Sequence, residues 1–307
     1  MATALLRLQP VHRSLKVITT VAPAKINWTL EVLGRRNDGY HEIRTVMQAI
    51  DLHDELSLES LASPALTIRG SGIARDDDLI FRAARAFPAT AARSATLRVK
   101  KNIPVGAGLG GGSSDAGATL RLLNHASQAR VGENKLRSIA ATIGSDVAFF
   151  LDGGVAVAQG RGEQITQLPD PHPAWLVLVV PPLSVPDKTR LMYRALQDRH
   201  YTDGSATEAM ARHLGAGGAA PGDLFVNAFE VVSNEVFAGL DKYREWMIEA
   251  GAERVHLSGA GPSLFALANG EAEARAIRAR MNRPKMGERV YVARTISAAE
   301  STLIWDS

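Results

Sequence analysis

The chain has 307 residues, 46% of them hydrophobic and 22% charged, with no cysteine, a formal charge of +3 and a mean hydropathy of −0.05. That length suits two domains with real cores, and the missing cysteines exclude disulfides, thiolate metal sites and a cysteine nucleophile. The mild basicity suits an anionic small molecule but is too weak and dispersed for nucleic acid, so no nucleic-acid partner is expected.

Residues 1–16 carry three basic residues and no acid, yet lack a long apolar core or a cleavage signature, so they read as a loose N-terminus rather than a targeting segment. Strands are predicted at 17–21 and 26–33 on either side of Pro23, closed by a turn at Asn37-Asp38-Gly39. A helix is predicted over 76–87, with acids in its first turn. A strand at Thr96–Lys100 leads into a glycine loop over 106–112 and a helix over 113–126, for which Ser113 and Ser114 are candidate N-caps. A second helix over 133–143 stops at Gly144 and is followed by Ser145-Asp146-Val147. A strand at 155–158 precedes the three-proline segment 164–173, read as a hinge, which places a domain boundary near 165 between 17–165 and 166–307. Beyond it come a strand at 175–180, a helix at 189–197 and a Gly/Ala-rich stretch at 201–222 read as a mobile loop. Helices at 224–236 and 239–250, strands at 254–257 and 263–268, a helix at 271–282 and a strand at 290–292 complete the chain. The mixture predicts an α+β fold rather than a regularly wound parallel sheet. The most apolar run, Trp175–Val180, is strand-length, so no membrane span is expected. The missing cysteines fit a reducing compartment, a cytoplasmic location is expected, and so is a monomer or homodimer.

The strongest chemical signal is the run from Pro104 to Asp115, PVGAGLGGGSSD. Five glycines in seven residues let the backbone approach a ligand closely, and the following helix start adds unpaired N–H groups, which together make an anion site. Gly106-x-Gly108-x-x-Gly111 matches the dinucleotide fingerprint formally, but the preceding strand is charged and lies nearly a hundred residues into the chain. No Lys-Ser/Thr follows the last glycine, which excludes a P-loop, and a helix rather than a lysine-bearing strand follows, unlike a protein kinase. His12, His53, His125 and His172 have no ligand spacing, so no zinc site is predicted.

This loop resembles the phosphate loop of the GHMP kinases, and Pro23-Ala-Lys25-Ile-Asn27 and Leu257-Ser-Gly-Ala-Gly-Pro-Ser263 resemble that family's N- and C-terminal motifs. The segments Arg35-Arg-Asn-Asp-Gly-Tyr-His41-Glu, Ile143-Gly-Ser-Asp146-Val147 and Gly160-Arg-Gly-Glu163 point to the branch whose acceptor is a cytidine-diphosphate ester of methylerythritol, an isoprenoid precursor. The resemblance implies a two-domain α+β fold with mixed and antiparallel sheets and a cleft between domains, using ATP and Mg²⁺. It implies Asp146 as general base for the 2-hydroxyl and Lys25 as its charge partner, with Asn27 orienting one or the other. Alone, Asp146 reads as a cap and Lys25 as a solvated strand end. Lys101, Pro104, Gly106, Gly108, Leu109, Gly110, Gly111, Gly112, Ser113 and Ser114 are expected at the nucleotide, with Ser114, alongside Asp115, the candidate Mg²⁺ contact. Tyr40 and His41 are expected at the cytosine, with Tyr193 as a second stacking residue. Asp78 stands where the family often has Asn, the 186–188 stretch looks lengthened, and Trp28 is read as core. Two alternatives remain at this point: a GHMP kinase for another alcohol, such as homoserine or mevalonate, and a catalytically silent GHMP-fold binding protein.

Overall fold

The computed structural model describes residues 17–306 apart from 61–62, 64, 89–91, 93, 128–129 and 282–286; the N-terminal reading over 1–16 lies outside the described residues. Two long strands, β1 (Ile18–Arg35) and β2 (His41–Ser60), form an antiparallel ribbon joined by a tight turn in which Gly39 takes a φ of 85°. Pro23 does not divide β1 in two. It sits at a register shift between Pro23 and Ala24, and a second shift lies between Asn27 and Thr29, so the ribbon bends around the residues it presents. Strand alternation then puts Ala24, Ile26 and Trp28 into one buried cluster and leaves Lys25 and Asn27 on the other face.

The short strand β3 (Thr67–Arg69), helix α1 (Leu79–Ala86) and β4 (Thr96–Lys100) follow. Next come α2 (Gly111–Ala126), α3 (Glu133–Ile143), β5 (Val155–Gly160) and β6 (Gln164–Gln167). Helices α1, α2 and α3 pack into one core against β2 and β4 through residues such as Phe87, Leu120, Leu123 and Leu97. The later elements are β7 (Trp175–Val180), α4 (Lys188–Ala195), α5 (Ser205–Gly215), β8 (Val226–Asn227), α6 (Ser233–Val236) and α7 (Asp241–Glu249). They close with β9 (His256–Leu257), β10 (Leu264–Ala268), α8 (Glu271–Arg280), β11 (Arg289–Arg294), α9 (Ala298–Ser301) and β12 (Ile304–Asp306).

One mixed sheet of eight strands runs β12-β1-β2-β4-β3, with β5 on β2, β6 on β5 and β8 parallel to β1; a second, antiparallel sheet runs β11-β7-β10-β9. The expected α+β class with mixed and antiparallel sheets is what the chain adopts. Strand pairing crosses residue 165 freely, because β8 and β12 join the sheet built by the first half of the chain. A buried cluster joins the two sheets, with Trp28 stacked on Phe225 at 4.9 Å and edge-on to Phe265 at 5.9 Å. Trp28 is therefore core, as expected.

Three local readings are corrected. The segment 164–173 is not a hinge at its start: Gln164–Gln167 is a strand whose residues pair with Ala156–Gln159 of β5, and its prolines fall only after it. The 201–222 stretch is not a loop throughout, since Ser205–Gly215 is a helix. Thr207, Met210 and Leu214 are buried at helical spacing, and the Thr207 N–H donates to Glu31 Oε2 at 2.7 Å. The helix expected over 224–236 is interrupted because Asn227 spends its side chain on the backbone. Its Nδ2 donates to the Leu257 and Gly259 carbonyls, both at 2.9 Å, and its Oδ1 accepts from Phe229 N at 3.0 Å. Among the described residues, no helix is long and apolar enough to cross a membrane.

Candidate active site

The 106–112 loop hands over to α2 earlier than its serines suggested. The N-cap is Gly110, in the left-handed region at φ 73° with no side-chain cap, and Ser113 and Ser114 lie inside the first turn rather than before it. An uncapped helix start leaves its first N–H groups aimed outward, which favours an anion. The Lys25 N–H donates to the Leu109 carbonyl at 2.9 Å and fastens β1 to this loop.

From the other side the 257–263 segment clasps the same loop. Ser263 N–H donates to the Ala107 carbonyl at 3.2 Å, and Ser258 Oγ donates to the Gly108 carbonyl at 3.3 Å. Gly108 has a φ of 86°, and a Cβ there would lie 2.5 Å from the Ser258 carbonyl oxygen and 2.7 Å from that of Gly261. Only a glycine permits that approach. The two glycine motifs, some 150 residues apart in sequence, thus form one floor.

Asp146 stands over that floor on a short 3-10 turn (Ser145–Val147) that follows the end of α3 at Gly144. Its Oδ2 lies 3.6 Å from Lys25 Nζ, with the lysine side chain buried and the carboxylate about one-third exposed. Lys25 Nζ also donates to Asn27 Oδ1 at 2.7 Å, while Asn27 Nδ2 donates to Thr45 Oγ1 at 2.8 Å. Thr45 was not singled out from the sequence, and its facing position on β2 was not readable there.

These groups line a cleft of ≈ 1350 Å³, larger than the roughly 300–1,000 Å³ usual for one drug-sized ligand. Lys25, Asn27, Tyr40, His41, Lys101, Pro104, Gly106, Gly108, Leu109, Gly110, Gly111, Gly112, Ser113, Asp146 and Tyr193 all reach its wall. Ser114 does not: it is fully buried, its Oγ has no partner, and Asp115 takes the wall position instead.

Lys101 is already engaged. Its Nζ donates to Asp115 Oδ2 at 2.6 Å and also to Asp54 Oδ2. Asp54 is completely buried in β2 and also accepts from Ile103 N at 2.8 Å, so it orders the entry to the glycine loop. Burial pushes the Asp115 carboxyl up, although Lys101 pulls against that shift. Asp78 is likewise committed, capping α1 by accepting from Ile80 N at 2.8 Å.

On the wall of the same cleft the His41 and Tyr193 rings are stacked 4.6 Å apart at 15°. Burial and the nearby Arg35 lower the His41 pKa, which leaves a neutral imidazole near pH 7. Burial, and then the Asp146 charge, raise the Tyr193 phenol well above its ordinary value. Tyr40 is half exposed, with the Arg161 guanidinium 4.8 Å above its ring. The sequence named the turn containing Arg161 but assigned that residue no role.

The chain matches the models for the GHMP kinases N terminal domain over residues 78–154 and the GHMP kinases C terminal domain over residues 208–285. It is 39% identical over 287 residues to the 4-diphosphocytidyl-2-C-methyl-D-erythritol kinase of Pelotomaculum thermopropionicum (strain DSM 13744 / JCM 10971 / SI), spanning 92% of this chain and 99% of that protein. It is 41% identical over 258 residues to the enzyme of the same name from Dehalococcoides mccartyi (strain CBDB1), spanning 82% and 89%. A crystal structure of 4-(cytidine 5'-diphospho)-2C-methyl-D-erythritol kinase superposes with a TM-score of 0.77 at 34% identity, covering 90% of this chain and 98% of that one. Homoserine kinase from Cytophaga hutchinsonii shares the fold, with a TM-score of 0.70 at 18% identity over 98% and 100% of the two chains.

Proposed function

The chain belongs to the GHMP kinases, in the family of its 4-diphosphocytidyl-2-C-methyl-D-erythritol kinase relatives, and from that membership we propose how its cleft carries out the reaction. It is an ATP-dependent small-molecule kinase of isoprenoid precursor synthesis that phosphorylates a hydroxyl, which we assign as the 2-hydroxyl, of 4-diphosphocytidyl-2-C-methyl-D-erythritol. The single observation that carries the catalytic assignment is the 3.6 Å pairing of Lys25 with Asp146 over the interlocked glycine motifs. A catalytically silent relative has no use for that pair, and Tyr40 and His41 on the same cleft wall favour a cytidyl acceptor over homoserine or mevalonate.

Phosphoryl transfer needs positioning and charge stabilisation more than covalent chemistry. The ATP triphosphate lies along the glycine loop, where the first N–H groups of α2 and the backbone at Gly108 and Gly110 receive it. Asp146 takes the proton from the acceptor hydroxyl as its oxygen bonds to the γ-phosphorus and the bond to the β–γ bridging oxygen breaks, releasing ADP. Lys25, held in place by Asn27 and Thr45, offsets negative charge on the transferred group. Residues 17–165 hold most of the nucleotide, and 166–307 completes the acceptor side through Tyr193 and closes the floor through 257–263.

Among the described residues no cluster of three or more His, Asp or Glu fits a metal ion. Mg²⁺ bound with the triphosphate would neutralise phosphate charge there. Asp115, whose buried Oδ1 has no partner, would be the protein group to hold it, more than Ser114, which is off the cleft wall. Lys101, pinned between Asp54 and Asp115, holds that carboxylate in place rather than reaching for nucleotide.

The test is ATP consumption by the purified chain against the cytidyl substrate, homoserine and mevalonate. Turnover with either of the last two and none with the first overturns the acceptor assignment. A finer check concerns the cytosine end. Tyr40→Ala and His41→Ala are each expected to raise the KM for the cytidyl substrate about tenfold, the loss of a stacked aromatic contact, with ATP KM unchanged. Equal losses for both ligands contradict the pocket assignment.

A further inference from the structure

Lys188, the first residue of α4, lines the same cleft as Lys25 and Asp146, yet the reaction as described leaves it unused. Its half-buried ammonium donates to the Gly261 carbonyl, in the peptide that packs on Gly108. An ammonium has three donors, and one carbonyl does not satisfy them. Among the described residues Lys188 forms no ion pair, and the charge it feels most is a second cation, Lys25. Two ammonium groups facing one cleft repel each other unless an anion lies between or beside them.

A second, independent feature points the same way. The N-cap of α4 is Asp187, held in the left-handed region at φ 52° with no side-chain cap. Its carboxylate turns away to pair with Arg190 at 2.8 Å, so the first-turn N–H groups of α4 have no capping acceptor from it. The 186–188 stretch, read as lengthened in the sequence, leads directly into this helix start, whose Lys188, Thr189 and Arg190 line the cleft.

We infer that Lys188, together with the uncapped first turn of α4, holds a phosphate group of the bound polyphosphate ligands beside the transfer point. The inference rests on the kinase reading above and extends it with a second cation on the acceptor side of the chain. Burial and the nearby Lys25 push the free Lys188 ammonium down to about 7; an arriving phosphate dianion reverses that pressure and restores the charge. Phosphates reach this cleft from two sources, ATP and the cytidyl diphosphate, and the test separates them.

The experiment compares the full-length parent chain with Lys188→Met and Lys188→Arg. It measures kcat, the KM for ATP and for the cytidyl substrate, the affinity for a non-hydrolysable ATP analogue, and thermal stability. Lys188→Met is expected to lose about 10- to 100-fold in kcat/KM, the scale of a lost charged hydrogen bond, while Lys188→Arg recovers most of it. A KM effect confined to ATP assigns its phosphates, one confined to the cytidyl substrate assigns its diphosphate, and a fall in kcat alone assigns the group in transit. The inference is overturned if Lys188→Met keeps the parent kcat/KM for both ligands. It is also overturned if both variants fall alike in step with thermal stability, which would make Lys188 only a tether to Gly261. A parent that fails to phosphorylate the cytidyl substrate sinks the acceptor assignment instead, and direct titration of the ATP analogue and of the cytidyl substrate into the parent and Lys188→Met then decides Lys188.

Discussion

Asp146→Asn is expected to lower kcat by about 10²–10⁴-fold, the range for removing a general base, while ATP-analogue affinity stays near that of the parent. The carboxamide keeps the size of the carboxylate but accepts no proton from an alcohol. Its turn is held by backbone bonds, Val147 N to the Gly144 carbonyl and Gly144 N to the Ala140 carbonyl, so the position of residue 146 survives the change. Lys25 loses its acid at 3.6 Å but keeps Asn27 at 2.7 Å, so it remains in place to meet phosphate. Residue 146 is about one-third exposed and not part of a core, so stability should move by no more than about 0.5 kcal/mol. Steady-state kinetics with calorimetric nucleotide binding separates these effects. Near-normal turnover removes Asp146 from the base role, whereas joint loss of turnover and nucleotide binding places it in the triphosphate site.

That pair illustrates what the chain discloses before it folds. Lys25, Asn27, the glycine run and Asp146 lie in short local patterns, and each pattern carries its own geometry. Strand alternation turns Lys25 and Asn27 to one face, and the stop at Gly144 exposes Asp146. Lys101 was legible as a cation near the loop but not as a group already neutralised. Its partner Asp54 is 47 residues away in sequence and reaches it only because β2 and β4 are paired. His41 and Tyr193 likewise meet across 152 residues: the structure shows them stacked on one another, which no local pattern encodes. Two of the misread segments, 164–173 and 201–222, share a cause. Proline and glycine weigh heavily in local propensity, and the prolines after Gln167 and the glycines flanking α5 masked a strand paired with β5 and a helix whose Thr207, Met210 and Leu214 seat on the long ribbon. Tertiary contacts decided those segments. In α5, Thr207 donates to Thr29 Oγ1 at 2.9 Å while its N–H meets Glu31.

Gly108→Val is expected to damage both fold and nucleotide binding, and Gly112→Ala neither fold nor stability. At 108 the backbone is left-handed, where a β-branched residue costs on the order of 1–3 kcal/mol before any contact is counted. The new Cβ would also lie 2.5 Å and 2.7 Å from two carbonyl oxygens of the 257–263 segment, and neither belongs to a flexible side-chain end. The two glycine motifs must therefore separate, which breaks the Ser263–Ala107 and Ser258–Gly108 bonds and misaligns the floor beneath Lys25. With each kcal/mol worth roughly 2–4 °C in a chain of this size, a fall of about 5–15 °C in Tm is expected together with lost ATP affinity. Gly112 is different: its φ is ordinary, and a Cβ would meet Leu79 Cδ1 at 3.7 Å, a normal contact. Inside the first turn of α2, alanine there should hold or raise stability by up to about 1 kcal/mol. Any loss of nucleotide affinity in Gly112→Ala then reports a contact with the phosphate itself, because the protein has room for the methyl group. An unchanged Tm for Gly108→Val contradicts the interlocked floor. Unchanged nucleotide affinity in both variants places the triphosphate away from the helix start, and the site would then have to be rebuilt around the lysines alone.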